Sequence, residues 1–425
     1  MLKFIDIFAG TGGIRLGFER SASKLGIKTK CVFSSEIDMK AAQSYELNFG
    51  ENPLNDITKV SESDLPDFDV MLAGFPCQAF SYAGKRKGFA DTRGTLFFDV
   101  ERILKRKKPK YFILENVRGL TTHDKGRTFK TITKALHTIG YDVKYILLNS
   151  SNFDVPQNRV RIYILGVLNE SINITLNSDI GAADTHKYKI KQRTQQLGLF
   201  EPVKQNKKPK TVSNILEKKV ARKYFCSKDF ITNLAKVVGN DFEQLHGYRM
   251  IDYRGGKSIH SWELGVKGDC TADETEFMNL LIANRRKKIY GNHQDGKSLN
   301  EEQIKTFYHS KKFKSVTRSL IKKGYLSFYD KKYNPVCGNM SFEVFKFLDP
   351  DGISITLTSS DCNRLGIVCK NKPRRITPRE CARLQGFPDS YKLLNDDNAV
   401  YKQMGNAVSV PVVEAVAYDL LSNNR

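Results

Sequence analysis

The chain has 425 residues, of which 40% are hydrophobic and 27% are charged, a balance that predicts a soluble protein with one or two folded domains. Its formal net charge of +23 is typical of a protein that binds a polyanion, with nucleic acid as the first candidate. Charge alone leaves a second interpretation open, in which the basic surface is only solvated.

Other classes of protein are excluded by local features. Asp6 interrupts the apolar run near the N-terminus, and no uncharged stretch approaches the roughly 18 residues that span a bilayer, which argues against a membrane protein. The eight cysteines form no C-x-x-C pair, and the seven histidines show no spacing typical of a metal site. We therefore expect free thiols in a reducing, cytoplasmic compartment, without disulfides, structural zinc or another bound metal.

From Lys3 to about Gly166, short apolar segments alternate with helical patterns, which predicts an α/β fold with a mostly parallel, doubly wound, Rossmann-like sheet. A helix is expected between the first two strands, because Ile14, Phe18 and Ala22 recur at helical spacing in "GGIRLGFERSASKLG". The strand candidates, in chain order, are "KFIDIFA", "TKCVFSSE", "FDVMLAGF", "KYFILENV", "DVKYILLNS" and "RIYILGV".

The composition changes near residue 170 and returns to ordinary helical and strand-like segments after residue 371. We therefore predict a first domain at 1–168, a second, smaller and basic domain at 169–371, and a C-terminal segment at 372–425 that completes the first. The central region interleaves lysines with aromatic residues, as in "KTFYHSKKFKSVTRSLIKKGYLSFYDKKY", which favours a nucleic-acid surface. Within that stretch, a helix, a glycine turn and a strand are expected.

Candidate binding residues follow the first strands. The glycines of "DIFAGTGG" allow a tight turn before the first helix, where backbone amides can meet a ligand. The motif is not the G-x-G-x-x-G dinucleotide fingerprint, because Arg15 stands where the third glycine belongs. Glu36 ends the second strand, where a doubly wound fold places the acid that binds ribose hydroxyls, and Asp56 precedes the third. Together these residues predict a nucleoside pocket, although each alone is typical of a surface residue or a helix cap.

Cys77 lies just beyond the next strand, in the turn "FPCQ". A free cysteine is more often a buried structural residue. Here the strand end would bring the thiol to the mouth of the sheet, and four cations follow between residues 85 and 93. Because nearby positive charge lowers the pKa of a thiol, we interpret Cys77 as a nucleophile.

Glu115 ends another strand, in "ILENVRG", where a carboxyl inside a pocket can carry a raised pKa and donate a proton. Arg159 and Arg161 alternate at the start of a later strand, so their side chains point to one face. They would stabilise an anionic base or hold Glu115, the alternative being a salt-bridged or phosphate-binding pair.

Taken in order, these motifs resemble those of the DNA (cytosine-5) methyltransferases of prokaryotic restriction-modification systems. The resemblance covers residues 1–168 and 372–425, and its motifs are "DIFAGTGG", "GFPCQAFS", "ENV", "QNRVRIYILG", "RRITPRECARLQGFP" and "QMGNAVSVPV". It implies a methyltransferase sheet, with the central region as the target-recognition domain. The amino-acid sequence of that region does not indicate which DNA sequence is recognised.

The resemblance also implies roles for individual residues. Cys77 would add to C6 of a cytosine flipped out of double-stranded DNA, with Glu115, Arg161 and Arg159 around the base. The methyl donor would be S-adenosyl-L-methionine, and no metal is needed. Ser81 and Arg93 would contact DNA phosphates. The residues implied for the cofactor site are Phe8, Ala9, Gly10, Gly12, Gly13, Glu36, Ile37, Asp56, Ile57, Pro76, Leu96 and Asn406.

The resemblance further implies an enzyme that works as a monomer on DNA, without membrane contact, and that protects DNA from a partner restriction endonuclease. Two alternatives stay open. One is an RNA cytosine-5 methyltransferase of the same architecture, although the Cys-Phe-Thr motif of the tRNA-directed relatives is absent. The other is a catalytically inactive DNA-binding relative, which would be expected to have lost Cys77 or Glu115.

Overall fold

The structure is a computed structural model that describes residues 1–76, 96–179, 210–253, 255–292, 297–336 and 342–424. The described strands are β1 (Leu2–Ile7), β2 (Thr29–Ser35), β3 (Val70–Ala73), β4 (Tyr111–Val117), β5 (Tyr141–Asn149), β6 (Val160–Leu168), β7 (Arg249–Met250), β8 (Ser258–Ile259), β9 (Leu299–Asn300), β10 (Leu326–Tyr329), β11 (Lys332–Pro335), β12 (Lys346–Phe347), β13 (Leu365–Cys369) and β14 (Lys372–Arg375). The described α-helices are α1 (Gly13–Lys24), α2 (Met39–Phe49), α3 (Leu96–Lys107), α4 (Arg127–Thr138), α5 (Lys228–Val238), α6 (Ala272–Asn284), α7 (Glu301–Lys305), α8 (Phe313–Lys323), α9 (Pro378–Leu384), α10 (Asp397–Asn406) and α11 (Val410–Asn423).

The first of two compact units comprises Met1–Leu216, Ile353–Cys362 and Pro378–Arg425. Its six-stranded sheet has the order β2-β1-β3-β4-β6-β5. The four strands from β2 to β4 run parallel, whereas β6 pairs antiparallel with both β4 and β5. The predicted α/β class and mostly parallel sheet are confirmed. The carboxyl ends of β1 to β4 therefore meet at one edge, where the predicted motifs follow the strands.

Apolar side chains cover both faces of this sheet, as expected for parallel strands that lie between helices. On one face, Ile14 and Phe18 of α1 pack with Val413 of α11. Helices α1 and α11 approach closely because Gly17 lies between them, where a Cβ would fall 2.7 Å from Val413. On the other face, α3 and α4 bury Phe97 and other apolar side chains against the strands. The C-terminal helix α11 thus completes the first core.

The second unit comprises Glu217–Gly352 and Asn363–Thr377. It contains a five-stranded sheet in the order β14-β13-β12-β7-β8 and a three-stranded antiparallel sheet in the order β10-β11-β9. One core gathers Trp262, Phe277 and Leu320, and another gathers Phe230, Met250 and Phe347. Residues 169–179 and 210–216 group with the first unit. The role of the central region in target recognition stays a prediction.

The helix, glycine turn and strand expected in "FKSVTRSLIKKGYLSFYD" are α8, Gly324 and β10. Gly324 has the left-handed conformation that ends a helix, with φ at +77°. Strands β10 and β11 form a hairpin whose two turn residues, Asp330 and Lys331, both have positive φ. This is the two-residue turn that matches the twist of a hairpin.

Within the described residues, no helix is long and apolar enough to cross a membrane. In the same part of the chain, no group of three His, Cys, Asp or Glu residues is placed to hold a metal ion. The six described cysteines are free thiols.

Candidate active site

The glycine-rich loop after β1 has three residues in the left-handed region. Gly10 and Gly12 have φ values of +55° and +76°, and Phe8 has a φ of +54° although it is not glycine. A non-glycine residue held in this region stores backbone strain, and such residues concentrate at functional sites. The backbone directly after β1 is therefore locally strained.

Glu36 holds this loop against the end of β2. Its Oε2 accepts a hydrogen bond of 2.7 Å from the Gly10 amide, and its Oε1 accepts one of 2.7 Å from the Asp38 amide. Burial raises the pKa of Glu36 above its ordinary value, and these amides act against the shift. One carboxylate thus fixes the direction of the loop and keeps lone pairs for further donors.

The surroundings of Glu36 leave room for a ligand. A Cβ added at Gly10 would meet no atom within 4 Å. Two apolar side chains next to Glu36 face solvent, because Ile37 is 72% exposed and Leu54, whose backbone bridges to Glu36, is 46% exposed. Open space at a glycine and exposed apolar side chains beside a fixed acceptor are what a nucleoside requires.

The carboxylate of Asp56 has local partners in its own turn. Its Oδ1 accepts hydrogen bonds from the Thr58 amide at 3.1 Å and the Thr58 hydroxyl at 2.7 Å, which caps the short helical turn Ile57–Lys59. These hydrogen bonds lower the pKa of Asp56, so the group is ionised at neutral pH. The Ile57 side chain is buried, and its carbonyl accepts a hydrogen bond from Arg102 at 2.6 Å. Asp56 itself is half-buried.

The buried side chain of Arg15 supports the glycine-rich loop through its contacts with α2. Arg15 donates to the Tyr45 hydroxyl and to Glu51, both at 2.9 Å, and its guanidinium lies 4.3 Å from the centre of the Phe49 ring. That ring packs against Gly12, where a Cβ would overlap it. Arg15, which stands in place of the third glycine of the dinucleotide fingerprint, thus holds α2 against the loop.

Glu115 and Arg161 form an ion pair on adjacent strands, with the Arg161 Nε 3.1 Å from the Glu115 Oε1. The two side chains are only 12% and 15% exposed. Burial raises the pKa of the Glu115 carboxyl above its ordinary value, although Arg161 and Arg159 both act to lower it. Burial outweighs the two arginines, so the Glu115 carboxyl holds a proton more readily than an exposed glutamate does.

The segment that leads to Cys77 lies beside this pair. A Cβ at Gly74 would be 3.7 Å from the Glu115 Oε2, and the Asn116 side chain donates to the Phe75 carbonyl at 3.2 Å. Pro76 is half-buried and is the last residue described before a gap. The three predicted residues Cys77, Ser81 and Arg93 lie outside the described residues.

Arg159 is 2% exposed and binds backbone carbonyls rather than Glu115. It donates to the carbonyls of Leu357 at 2.8 Å and Ala407 at 2.6 Å. Burial lowers the pKa of Arg159 to about 9, so the group remains charged at neutral pH. Arg159 thus ties the start of β6 to the C-terminal segment that carries Asn406, whose side chain is exposed at the end of α10.

The remaining predicted positions surround the same loop. Ala9 is buried, and its amide donates to the Ser35 carbonyl at 2.9 Å. Gly13 begins α1 against Val408, where a Cβ would fall 2.9 Å from a methyl group. Leu96 is half-buried at the first residue of α3.

Phe49 and Tyr391 are neighbours of the loop that the sequence motifs do not indicate. The Tyr391 hydroxyl donates to the Thr11 carbonyl at 2.7 Å across 380 positions of sequence. Neither residue stands in a motif or at a strand end, so spacing gave no signal for these contacts. The local signals are weak: Gly50 follows Phe49, and the segment "GFP" at residues 386–388 precedes Tyr391.

Comparisons with known proteins identify the family. The model of C-5 cytosine-specific DNA methylases matches residues 2–422. The type II methyltransferase M.BanI of Aneurinibacillus aneurinilyticus is 62% identical over 423 residues, with 100% of this chain and 96% of that protein covered. The type II methyltransferase M.HgiCI of Herpetosiphon aurantiacus is 59% identical, with 100% and 98% covered.

A solved structure, the Dnmt2 methyltransferase of S. pombe, aligns with a TM-score of 0.55 over 99% of both chains at 16% identity, which supports the fold alone. The family match spans nearly the whole chain and agrees with the motifs, so the resemblance is confirmed. The chain belongs to the family of C-5 cytosine-specific DNA methylases.

Proposed function

We propose that this chain methylates C5 of one cytosine in a short double-stranded DNA sequence, with Cys77 as the nucleophile. The observation that carries the proposal is the buried Glu115–Arg161 pair beside Gly74, three residues before Cys77. C5 of cytosine is a poor nucleophile until C6 is attacked, and a thiolate at the end of this segment is suited to that attack.

Glu115 would face N3 and the amino group of the flipped cytosine. Its raised pKa suits it to share a proton with N3 while the Cys77 sulfur adds to C6, which makes C5 an enamine carbon. Arg161 would keep the carboxyl oriented, and Arg159 would hold the backbone behind it. After C5 gains a methyl group, the C5 proton would pass to solvent and the Cys77 sulfur would leave C6 as a thiolate. The return of the N3 proton to Glu115 would then restore the ring and the enzyme.

S-Adenosyl-L-methionine is the usual methyl donor of this family, and when bound it supplies an electrophilic methyl group. Its proposed site is the edge formed by the glycine-rich loop, Glu36 and Ile37, a proposal supported by the open space at Gly10 and the fixed Glu36 carboxylate. Glu36 would accept from the ribose hydroxyls. Phe8, Ala9, Gly12, Gly13, Asp56, Ile57, Pro76, Leu96 and Asn406 would complete the site.

DNA recognition is assigned to the second unit, which includes most of the predicted target-recognition domain. Its exposed Lys314, Arg318 and Lys322 recur along one face of α8. The β10–β11 hairpin presents Tyr329, which is 86% exposed, beside Lys331. Cations with an exposed aromatic ring suit a nucleic-acid surface.

The proposed cellular role is protection of DNA from a partner restriction endonuclease, which is supported by relatives named as type II methyltransferases. We place this activity in the cytoplasm of a prokaryote, with a monomer acting on DNA. Ser81 and Arg93 would contact phosphates near the flipped base.

The test is transfer of labelled methyl groups from S-adenosylmethionine to plasmid DNA, followed by bisulfite sequencing. We expect modified cytosines at one short recurring sequence. Cys77→Ala should abolish transfer and preserve duplex binding, and Cys270→Ala, which removes another free thiol, is the control. Transfer to RNA alone would overturn the substrate, and transfer by Cys77→Ala near the normal rate would overturn the nucleophile.

A further inference from the structure

Two cations face each other in the five-stranded sheet of the second unit. Lys346 on β12 pairs directly with Arg249 on the antiparallel strand β7. Directly paired residues share one face of a sheet, with Cβ atoms about 5 Å apart. Their sequence neighbours Phe347 and Met250 are fully buried in the core, so the two cations lie on the opposite face.

Like charges at paired positions destabilise a sheet unless an anion lies between them. In the described part of the chain, neither the Lys346 ammonium nor the Arg249 guanidinium has a carboxylate partner. Both side chains are half-buried, which adds a desolvation cost to the repulsion. The fold thus keeps an unfavourable arrangement that a bound anion would relieve.

The electrostatics agree with this geometry. Burial, together with the charge of Arg249, lowers the pKa of Lys346 to about 8. On β8 the residue paired with Arg249 is Ser258, whose hydroxyl donates to the Gly255 carbonyl at 3.5 Å. On the other side of Lys346, the paired residue on β13 is Leu365, which bears no charge. The two paired cations are therefore the donors that this face offers to the oxygens of a phosphate group.

We propose that Lys346 and Arg249 form a phosphate-binding site that holds one backbone phosphate of the DNA substrate. The planar guanidinium of Arg249 donates to two phosphate oxygens, and the Lys346 ammonium donates to a third or shares one. The contact orients the second unit on the duplex and carries no sequence information. This inference rests on the proposed function, since it takes DNA as the partner.

The experiment measures duplex affinity against salt concentration for the full-length enzyme. Each lost phosphate contact reduces the slope of log K against log salt by about 0.9. Lys346→Met should reduce the slope by that amount, and Lys346→Arg should restore it. The matched control is Lys30→Met, which removes an exposed lysine near the amino end of β2, away from the edge where the motifs meet.

Thermal unfolding separates a binding role from a structural one. Because Lys346→Met removes a repulsion, its melting temperature should be no lower than that of the wild type, while its DNA affinity falls. A normal salt slope in a folded Lys346→Met variant would overturn the site. Loss of stability and affinity together, without rescue by Lys346→Arg, would also overturn it.

A second measurement uses the wild-type enzyme, which avoids any folding defect. Brief acylation with acetic anhydride should label Lys346 several-fold less when duplex DNA is bound, whereas inorganic phosphate at the same ionic strength should protect it little. Equal protection by inorganic phosphate would assign the site to a free phosphate and overturn the DNA contact. Wild-type methyl transfer to plasmid DNA is measured alongside, because its absence would reject the proposed function rather than this site.

Discussion

Two largely buried carboxylates lie at the same edge of the central sheet and differ in what holds them. Glu36 accepts from the amides of Gly10 and Asp38, which carry no net charge. Glu115 pairs with the cationic Arg161 and lies in the field of Arg159. Amide donors fix an acceptor in place, whereas arginines balance a charge that changes during a reaction. From this contrast we propose that Glu36 holds a ligand and that Glu115 takes part in base chemistry.

The largest effect is expected for a substitution of Glu115. Glu115→Gln should lower kcat by about 10²–10⁴-fold, because a positioned proton donor of this kind contributes that much to a rate. The affinity for S-adenosylmethionine should change little, since Glu36 and its amide donors are untouched. Steady-state kinetics with titrated cofactor checks both values. A variant with normal kcat and weakened cofactor binding would contradict the assignment.

Glu36→Gln should show the reverse pattern. The amide keeps one acceptor oxygen and places an NH₂ group against a backbone donor, so cofactor affinity should fall roughly tenfold, as expected for loss of a hydrogen bond to a charged group. At saturating cofactor, kcat should return close to normal. Equilibrium titration with S-adenosylmethionine measures the first quantity. Unchanged affinity would remove Glu36 from the cofactor site.

A smaller effect is expected at the brace of the glycine-rich loop. Phe49→Ala removes the ring that packs against Gly12, so the loop should occupy its binding conformation for less time and cofactor affinity should fall about threefold. Leu47→Ala, an exposed position on the same helix, is the control and should bind normally. An equal loss in both variants would indicate a general effect of α2 rather than the brace.

The smallest effect concerns pH. Burial raises the pKa of Glu115 in the folded protein above its ordinary value of 4.5. The folded state therefore holds more protons between these two pKa values, and the free energy of unfolding falls as pH rises through this window. Glu115→Gln cannot titrate, so its stability relative to the wild type should improve from about pH 4.5 upward. Urea unfolding at stepped pH values tests this, and the opposite trend would contradict a raised pKa.

The sequence was sufficient to predict the sheet and the positions of Glu36 and Glu115, because the carboxyl ends of parallel strands meet at one edge. It also indicated that Arg161 would lie near Glu115, and the two side chains form an ion pair. It could not predict the contacts made across hundreds of positions. Arg159 was expected to stand with Arg161 at Glu115, and its hydrogen bonds go to the carbonyls of Leu357 and Ala407. Those partners are backbone atoms, which leave no mark in a sequence pattern.

Long-range contacts also explain why the sequence did not predict the role of Arg15 or the pairing of Lys346 with Arg249 in the second unit. Arg15 was interpreted as a missing glycine, although its burial among aromatic rings is what holds α2 to the loop. The Lys346 and Arg249 pair lies on two-residue strands separated by almost a hundred positions, too short for any periodicity. Short strands and single long-range contacts are fixed by tertiary packing, not by local preference.

The most direct test of the central contrast is single-turnover methyl transfer by Glu36→Gln and Glu115→Gln, measured side by side over a range of S-adenosylmethionine concentrations. Glu36→Gln should reach nearly the wild-type rate once the cofactor saturates, whereas Glu115→Gln should stay slow at every concentration. A near-normal rate of Glu115→Gln at high cofactor concentration, or a slow rate of Glu36→Gln at saturating cofactor, would contradict the separate roles proposed for the two carboxylates.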